Sequence, residues 1–566
     1  MKRAALLVLL FAGILGVTWA AYQVAVPRPP ELELSHVVPS GALLYLQAKD
    51  FSSLLGDWDK SQEKETWIKS KNNDVFSQSR LLLRLKDADT EFSGAAGVPT
   101  NTDLLRQVAG KQTVLALYDI GKLQFLYITR LPAADFTQSS LWQTRSKFET
   151  RTAGGVDFFY RKDPDSEREV AFAVAGDYLL LATREDLMAG ALELLAGSKN
   201  QAVSEEPWWS RTVAAAGAPG DLRMVLDLEK IVPSPYFRSY WIQRNITDMS
   251  QYSAAISDLT RSGREYREER LLMRKDAAHE APSGKGAAAV ADIVRLVPSN
   301  AGLYEANADP DPKNSVELLT VKILAPHLGP PAPEKLAPQV QLGNGEAGSA
   351  TDLETRIDQP PAQSSAIGDS RAVLQAVFAQ NHILAQLQLD QTDRDPAGIF
   401  VRIHSGVAFL GESDWDEQAV HAALVEFARP GLSTGQLGVG WKAMPGYSML
   451  DGLWPLSVAV RGKYLIVSDS SALLGGMLDG MSKKSTSTAA TYSAGFSHQS
   501  ERENFVALTK LLDFGARSSG SGEGPEFFSE NIASLSYALR RISSEKIVIR
   551  DAGDRQVQTV VYAWAQ

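Results

Sequence analysis

The stretch Val170–Gly197, VAFAVAGDYLLLATREDLMAGALELLAG, reads as strand, tight turn, strand and helix. Gly176 sits where a primed turn demands positive φ, and the leucines after Thr183 recur at helical spacing. A near-copy runs from Leu456 to Gly480, LSVAVRGKYLIVSDSSALLGGMLDG. At one constant offset Gly176, Tyr178, Leu179, Leu187, Gly190 and Leu192 match Gly462, Tyr464, Leu465, Leu473, Gly476 and Leu478. The unit therefore occurs twice, and further echoes lie around it in the same order. Val38-Pro39-Ser40 to Tyr45 is matched by Val297-Pro298-Ser299 to Tyr304, and Asp50 by Asp309. Weaker echoes pair the Asp221 strand with Phe505–Leu512, and Glu269–Arg274 with Glu545–Arg550. Collinear echoes of this kind point to a duplicated module.

Around the first unit lie more strand-like runs. Gln112–Asp119 and Lys122–Leu131 are spaced as a hairpin through Ile120-Gly121, and Phe148–Lys162 turns at Gly154-Gly155. Asp221–Ile231 and Glu269–Lys275 add strands. Phe51–Lys69, Thr102–Ala109 and Arg184–Leu195 have helical spacing. The expected class is α+β: two tandem repeats, each a largely antiparallel sheet with helices on one face. The chain of 566 residues is too long for a single core of roughly 250 to 300 residues. The expected division is 31–276 for the first repeat, 277–291 for a linker low in bulky apolar residues, and 292–566 for the second repeat. Mobile insertions are expected at about 326–365 and 482–502, with a third flexible loop at Ser518–Gly524. Val557–Trp564 alternates and should close the second sheet.

Residues 1–30 read as a signal peptide or an N-terminal membrane anchor. Lys2 and Arg3 precede an uncharged run from Ala4 to Val26, long enough to span a bilayer, and Thr18-Trp19-Ala20 offers a mediocre cleavage site. Basic residues on the short side place the rest of the chain outside the cytoplasm, in a bacterial periplasm or on the inner membrane. The net charge of -10 argues against nucleic acid as a partner. The absence of cysteine removes disulfides, thiolate metal sites and a cysteine nucleophile.

No motif carries a catalytic, metal or cofactor assignment. Gly431-Leu432-Ser433-Thr434-Gly435 matches G-x-S-x-G, but Pro430 enters it and a glycine-rich strand leaves it. Gly343-Asn344-Gly345-Glu346-Ala347-Gly348 matches G-x-G-x-x-G inside a Pro/Gly-rich insertion, without the flanking strand and helix that a dinucleotide needs. The seven histidines lack zinc spacing, and Asp57-Trp58-Asp59 has Gln62 where a calcium loop needs glycine. Asp163/Asp165 and Asp414/Asp416 are carboxylate pairs of a kind common in turns. The densest candidate for partner binding is PSPYFRSYWIQRN, where Tyr236, Phe237, Tyr240 and Trp241 interleave with Arg238 and Arg244. Burial as core competes with that reading, as it does for Trp208-Trp209.

Val38-Pro39, Ala175-Gly176-Asp177-Tyr178-Leu179 and SPYFRSYW together resemble uncharacterised, domain-of-unknown-function families of exported bacterial envelope proteins. The resemblance spans most of the chain after its first segment and implies an envelope location, with no catalytic residue to carry over. The expected function is non-enzymatic: a membrane-tethered or periplasmic protein that binds or scaffolds a protein partner. The alternatives are a carrier of lipid or another hydrophobic ligand, marked by a dry apolar pocket, and a hydrolase with convergent buried acids.

Overall fold

A computed structural model describes residues 32–70, 73–74, 77–78, 80–235, 248–275, 284–327, 365–394, 401–432, 438–485, 488–502 and 541–564. The N-terminal segment, Ser518–Gly524 and nearly all of the 326–365 insertion lie outside them. In chain order the first half comprises β1 (Leu44–Asp50), α1 (Phe51–Lys60), α2 (Gln62–Ile68), α3 (Arg80–Ala96), α4 (Thr102–Val108), β2 (Lys111–Asp119), β3 (Gln124–Arg130), α5 (Ala133–Phe136), α6 (Ser140–Gln143), β4 (Glu149–Ala153), β5 (Val156–Lys162), β6 (Glu169–Ala175), β7 (Tyr178–Ala182), α7 (Glu185–Leu195), α8 (Pro207–Ala215), β8 (Leu222–Asp227), α9 (Leu228–Ile231), β9 (Tyr252–Arg261) and β10 (Glu265–Arg274). The second half comprises α10 (Gly284–Ile293), β11 (Leu303–Ala308), α11 (Pro312–Leu319), α12 (Ser365–Gln380), β12 (Ile383–Arg394), β13 (Val401–Gly411), α13 (Glu417–Leu432), β14 (Gly440–Met444), β15 (Tyr447–Asp451), β16 (Leu456–Arg461), β17 (Tyr464–Ser468), α14 (Ser471–Met481), β18 (Tyr492–Phe496), β19 (Ile542–Asp551) and β20 (Arg555–Trp564).

The chain is mixed α/β, and its strands form one large antiparallel sheet. The order across the first half is β4-β5-β6-β7-β3-β2-β1-β8-β9-β10. Across the second half it is β14-β15-β16-β17-β13-β12-β11-β18-β19-β20. The halves join where β10 pairs with β20, from Glu265↔Ala563 to Met273↔Arg555, with Glu269↔Thr559 at the centre. Val557–Trp564 thus ends the second half and also binds the first.

Turn chemistry follows the sequence. Gly154, Gly155, Gly176 and Gly462 have φ of 57°, 76°, 60° and 57°. The Ile120-Gly121 hairpin is longer than its spacing suggests, because Leu123 at φ 48° and the Asp119 carboxylate, which accepts from Lys122 N at 2.9 Å, widen the turn. Side chains cap the helix starts: Asp50, Asn101 and Ser470 accept from the backbone N–H of Ser53, Leu104 and Leu473.

Helices cover both faces of the sheet, not one. On β7, Leu180 and Ala182 pack with Leu187, Met188 and Trp209 beneath α7 and α8. Leu179 and Leu181 pack on the other side with Phe92, Leu104, Phe136 and Leu141 from α3 to α6. Successive strand residues point to opposite faces, so an unbroken apolar run such as β7 or β17 must be covered twice. The second half is layered likewise, with α10 and α14 on one face and α11, α12 and α13 on the other.

Two boundaries and one of the repeat echoes also differ from expectation. Residues 284–291 are not linker: α10 buries Ala289, Val290 and Ile293 among β11, β12 and α14, its alanines being small enough for close approach. The 482–502 segment is not wholly a mobile insertion, because β18 sits between β11 and β19 in mid-sheet. Its composition hides it, since a Cβ at Gly495 would lie 2.3 Å from the Tyr304 ring; the glycine is there to admit that ring. In strand order β18 occupies the place of β8, and Phe505–Leu512 lies outside the described residues. Glu545–Arg550 falls in β19, which stands where β9 does rather than where β10 does.

Two histidines lie flat on tryptophans in the second half. His327 stacks on Trp454 at 3.8 Å and His421 on Trp441 at 4.0 Å, and neither Nε2 has a hydrogen-bond partner among the described residues. Burial holds both, and His498, below the ordinary value of 6.5, so the fold favours the neutral rings. Above about pH 6.5 both states are neutral and stability is full. Below it the unfolded chain takes up protons that the folded rings resist, and stability falls until the folded rings titrate. We expect the thermal midpoint to drop between pH 7.5 and 5.5, and His327→Phe with His421→Phe to flatten that slope. Equal slopes in the two proteins would refute the assignment.

Candidate functional site: an apolar cavity under the helices of the first half

Between the sheet and α1, α3 and α4 lies a cavity of about 470 Å³. Its floor is Leu46, Leu115, Phe125, Tyr127, Leu181 and Leu222, on five adjacent strands. Its roof is Phe51, Leu85, Ala88, Phe92, Leu105 and Val108. The floor forms because Leu46 faces Leu115 and Met224 across the ladders, Leu115 faces Tyr127, and Tyr127 faces Leu181, so one register puts all these side chains on one face. The Tyr127 hydroxyl donates to Val108 O at 2.7 Å, which ties α4 to the floor. Burial pushes that phenol up to about 12, so it stays a neutral donor. The volume falls within the roughly 300–1,000 Å³ typical of small-molecule sites.

The cavity adjoins a polar vestibule of about 510 Å³ that shares Leu85, Ala88, Leu123, Arg168 and Thr183 with it. Arg84, Lys122 and Lys162 line the vestibule alongside Asp87 and Glu167. Arg168 stands at the junction, paired with Glu91 and bonded to Lys122 O.

At the matching sheet positions in the second half, Glu305, Gln388 and Ser405 stand where the first has Leu46, Leu115 and Phe125, while Val407 and Val467 stand for Tyr127 and Leu181. Glu305 faces Gln388 and Ala494 across its ladders, as Leu46 faces Leu115 and Met224. Gln388 Nε2 donates to Glu305 Oε2 at 2.7 Å, Ser315 Oγ donates to Gln386 Oε1 at 2.9 Å, and Lys322 Nζ lies 2.6 Å from Asp390. On β11 and β12 the second half thus has a hydrogen-bonded network where β1 and β2 of the first half carry the leucines of the cavity floor.

Beside that network two acids, Asp390 and Asp469, converge on Ser405. Ser405 Oγ donates to Asp390 at 2.8 Å and Ser405 N to Asp469 at 2.9 Å. Burial raises the Asp469 carboxyl above its usual range. His404, 3.7 Å from Asp469, neighbours Ser405 on the same strand and so points to the opposite face, away from the hydroxyl it would need to activate. The arrangement is a strand clasp. In the first half Thr183 holds the matching place and accepts from Phe125 N at 2.8 Å.

The sequence-level candidates fare as follows. Tyr236, Phe237, Arg238, Tyr240, Trp241 and Arg244, together with Ser433 and Gly343–Gly348, lie outside the described residues. Trp209 is core, edge-on to Tyr45 at 4.6 Å, with Trp208 against it. Asp59 pairs with Lys64 and Arg106, Asp163 closes a turn on Ser166, and Asp416 caps α13. Among the described residues no group of three His, Asp or Glu is placed to hold a metal ion, and no helix is long and apolar enough to cross a membrane. The cavity residues carry no motif. The only trace of them in the sequence is a strand set whose second face is as apolar as its first.

No family model matches the chain, and no curated protein matches it. Two solved structures are similar to it, crystal forms I and III of TP0453, at 14% and 12% identity. Each covers 44% of this chain, and 82% and 84% respectively of its own, with a TM-score of 0.23.

Proposed function

We propose that the protein is a non-enzymatic binding protein of the cell envelope, a duplicated β platform that holds a hydrophobic ligand in its first half. The duplication is supported by the shared strand order and by strand-end bonds that recur at matching places. Leu131 N donates to Asp177 O at 2.8 Å and Gly411 N to Lys463 O at 2.9 Å. Gly190 and Gly476 lie against Pro39 and Pro298, where a Cβ would approach to 3.1 and 3.2 Å. The pairing of β10 with β20 is symmetric about Glu269↔Thr559, as fusion of a two-fold dimer would leave it. The Lys2-Arg3 flank and the apolar run after it support tethering on the outer side of a membrane.

The observation that carries the ligand reading is the contrast between the halves. The second half carries Glu305, Gln386, Gln388 and Asp390 at positions where the first has Leu46, Thr113, Leu115 and Leu117, so these strands do not require leucine there. Unfilled apolar surface of this extent is costly in water and marks a binding groove. A protein scaffold acting through Tyr236 to Arg244 is the second reading, supported by the aromatic and arginine content of that segment.

The test is affinity purification of the full chain from solubilised membranes, with lipids and proteins in the eluate both identified. An acyl-chain compound near one per chain is expected. A stoichiometric protein without lipid would favour the scaffold, and neither would sink both readings.

A further inference from the structure

The apolar cavity and the polar vestibule meet at a neck lined by Leu85, Ala88, Leu123, Arg168 and Thr183. From that neck the cavity runs beneath its roof along β2 and β3 to the level of Thr113, roughly 20 Å at the usual rise of a strand. Along it the hydroxyls and the one carboxylate are already bonded within the protein. Thr100 donates to Asp89, Thr113 and Thr129 share a hydrogen bond of 2.6 Å, the Tyr127 hydroxyl donates to Val108 O, and Thr183 is closed on Phe125. Arg168 at the neck differs. Its side chain is only 12% exposed, yet its bonds to Glu91 and to Lys122 O use just two of the roughly five N–H donors of a guanidinium. The turn beside it gathers more positive charge: Arg84 Nη2 donates to Gly121 O at 3.4 Å, next to the carbonyl that Arg168 holds, and Lys122 stands on the same turn.

A chain that fills the cavity therefore meets no unspent hydrogen-bond donor before the neck, and the first it meets there belongs to a cation. Farther out the vestibule wall is mixed, with five cationic and four acidic side chains, so its net charge selects nothing; the place of Arg168 does. We propose that the ligand is an amphiphile with an acidic head, a carboxylate or a phosphate, bound tail inward with the acid on Arg168 at the neck. Methylenes gain by leaving water, whereas an ionised head buried under the roof without a donor would cost more than its apolar contacts return. At the neck the head keeps water on its vestibule side and accepts a charge-assisted hydrogen bond from a guanidinium that Glu91 and Lys122 O already hold in place. An uncharged head makes no such pair, and an ammonium meets like charge from Arg168, Arg84 and Lys122. This rests on the hydrophobic-ligand reading of the cavity and adds to it the class and direction of the ligand.

The full chain, held in solution by an amphipathic polymer, is titrated calorimetrically with dodecanoate, dodecyl phosphate, dodecanol and dodecylammonium. Leu115→Trp, which fills the cavity, gives the background uptake. At least one acid is expected to bind about tenfold or more tightly than dodecanol, and dodecylammonium no better than dodecanol. The tighter acid names the source, a fatty acid or a phosphate ester. Arg168→Gln is expected to cut the preference below about threefold with dodecanol affinity unchanged, and Arg168→Lys to restore part of it. Arg84→Gln with Lys122→Gln, both exposed, should weaken it in the same direction while leaving the Arg168–Glu91 pair in place. Equal affinity for the acids and dodecanol, or tightest binding of dodecylammonium, overturns the acidic head and leaves the cavity reading standing. A preference that survives intact in Arg168→Gln puts the acid elsewhere and likewise overturns the proposal. Binding of none of the four above the Leu115→Trp background removes the cavity reading, and this assignment with it.

Discussion

Leu115→Trp is expected to abolish ligand binding while leaving the fold intact. Leu115 lies mid-floor between Leu46 and Tyr127, facing the cavity rather than a packed helix, so an indole there expands into open space instead of into neighbours. It occupies the volume a ligand would fill, and a loss of at least tenfold, about 1.4 kcal/mol, is expected in a fluorescent fatty-acid titration. Ala88→Phe fills the cavity from the roof and should act alike, which guards against a local effect of either change. Gln388→Trp, at the matching place in the second half, should leave affinity unchanged. Equal affinity in the wild type and both cavity-filling variants would contradict the assignment.

Asp551→Ala is expected to give the largest loss of stability. Asp551 at the end of β19 pairs with Arg274 at the end of β10, with side chains only 6% and 8% exposed, so this ion pair closes the seam between the halves. Arg274 also donates to Gln251 at 3.0 Å and lies over the Tyr252 ring at 5.5 Å, which fixes the guanidinium in place. Removing the carboxylate strands a buried cation, at a cost of about 3–5 kcal/mol. Asp551→Leu combined with Arg274→Met removes both charges and should recover much of that loss, since burying the pair already costs desolvation. Urea denaturation checks both. A double variant as unstable as the single one would mean that the seam depends on packing and not on the charge.

The duplicated unit was legible because its determinants are local. A primed turn needs positive φ, and Gly176 and Gly462 supply it; a helix close to a strand entry needs Gly190 and Gly476 beside prolines. The runs VAFAVA and YLLLA also contained the second helical layer, since they lack the alternation of a one-faced sheet, yet the one-face expectation passed over it. β18 escaped because Ser493 and Gly495 make YSAGF look like a loop when the strand's apolar bulk is supplied by its neighbours, Tyr304 above all. α10 escaped because alanine and glycine read as linker until a sheet is placed beneath them. The cavity could not be read at all. Its lining is spread from Leu46 to Leu222, mostly leucine, phenylalanine and other apolar residues of ordinary kind, and only the register of five strands brings its floor to one surface. The carboxylate pairs proved to be caps and turns, as their spacing in the sequence allowed.

The central claim is that one half of a duplicated platform holds a hydrophobic ligand and the other does not. Native mass spectrometry of the full chain, titrated with a long-chain fatty acid, tests it most directly. The expected result is a single added ligand per chain, lost in Leu115→Trp and retained in Gln388→Trp. Two ligands per chain, or the same occupancy in Leu115→Trp as in the wild type, would contradict it.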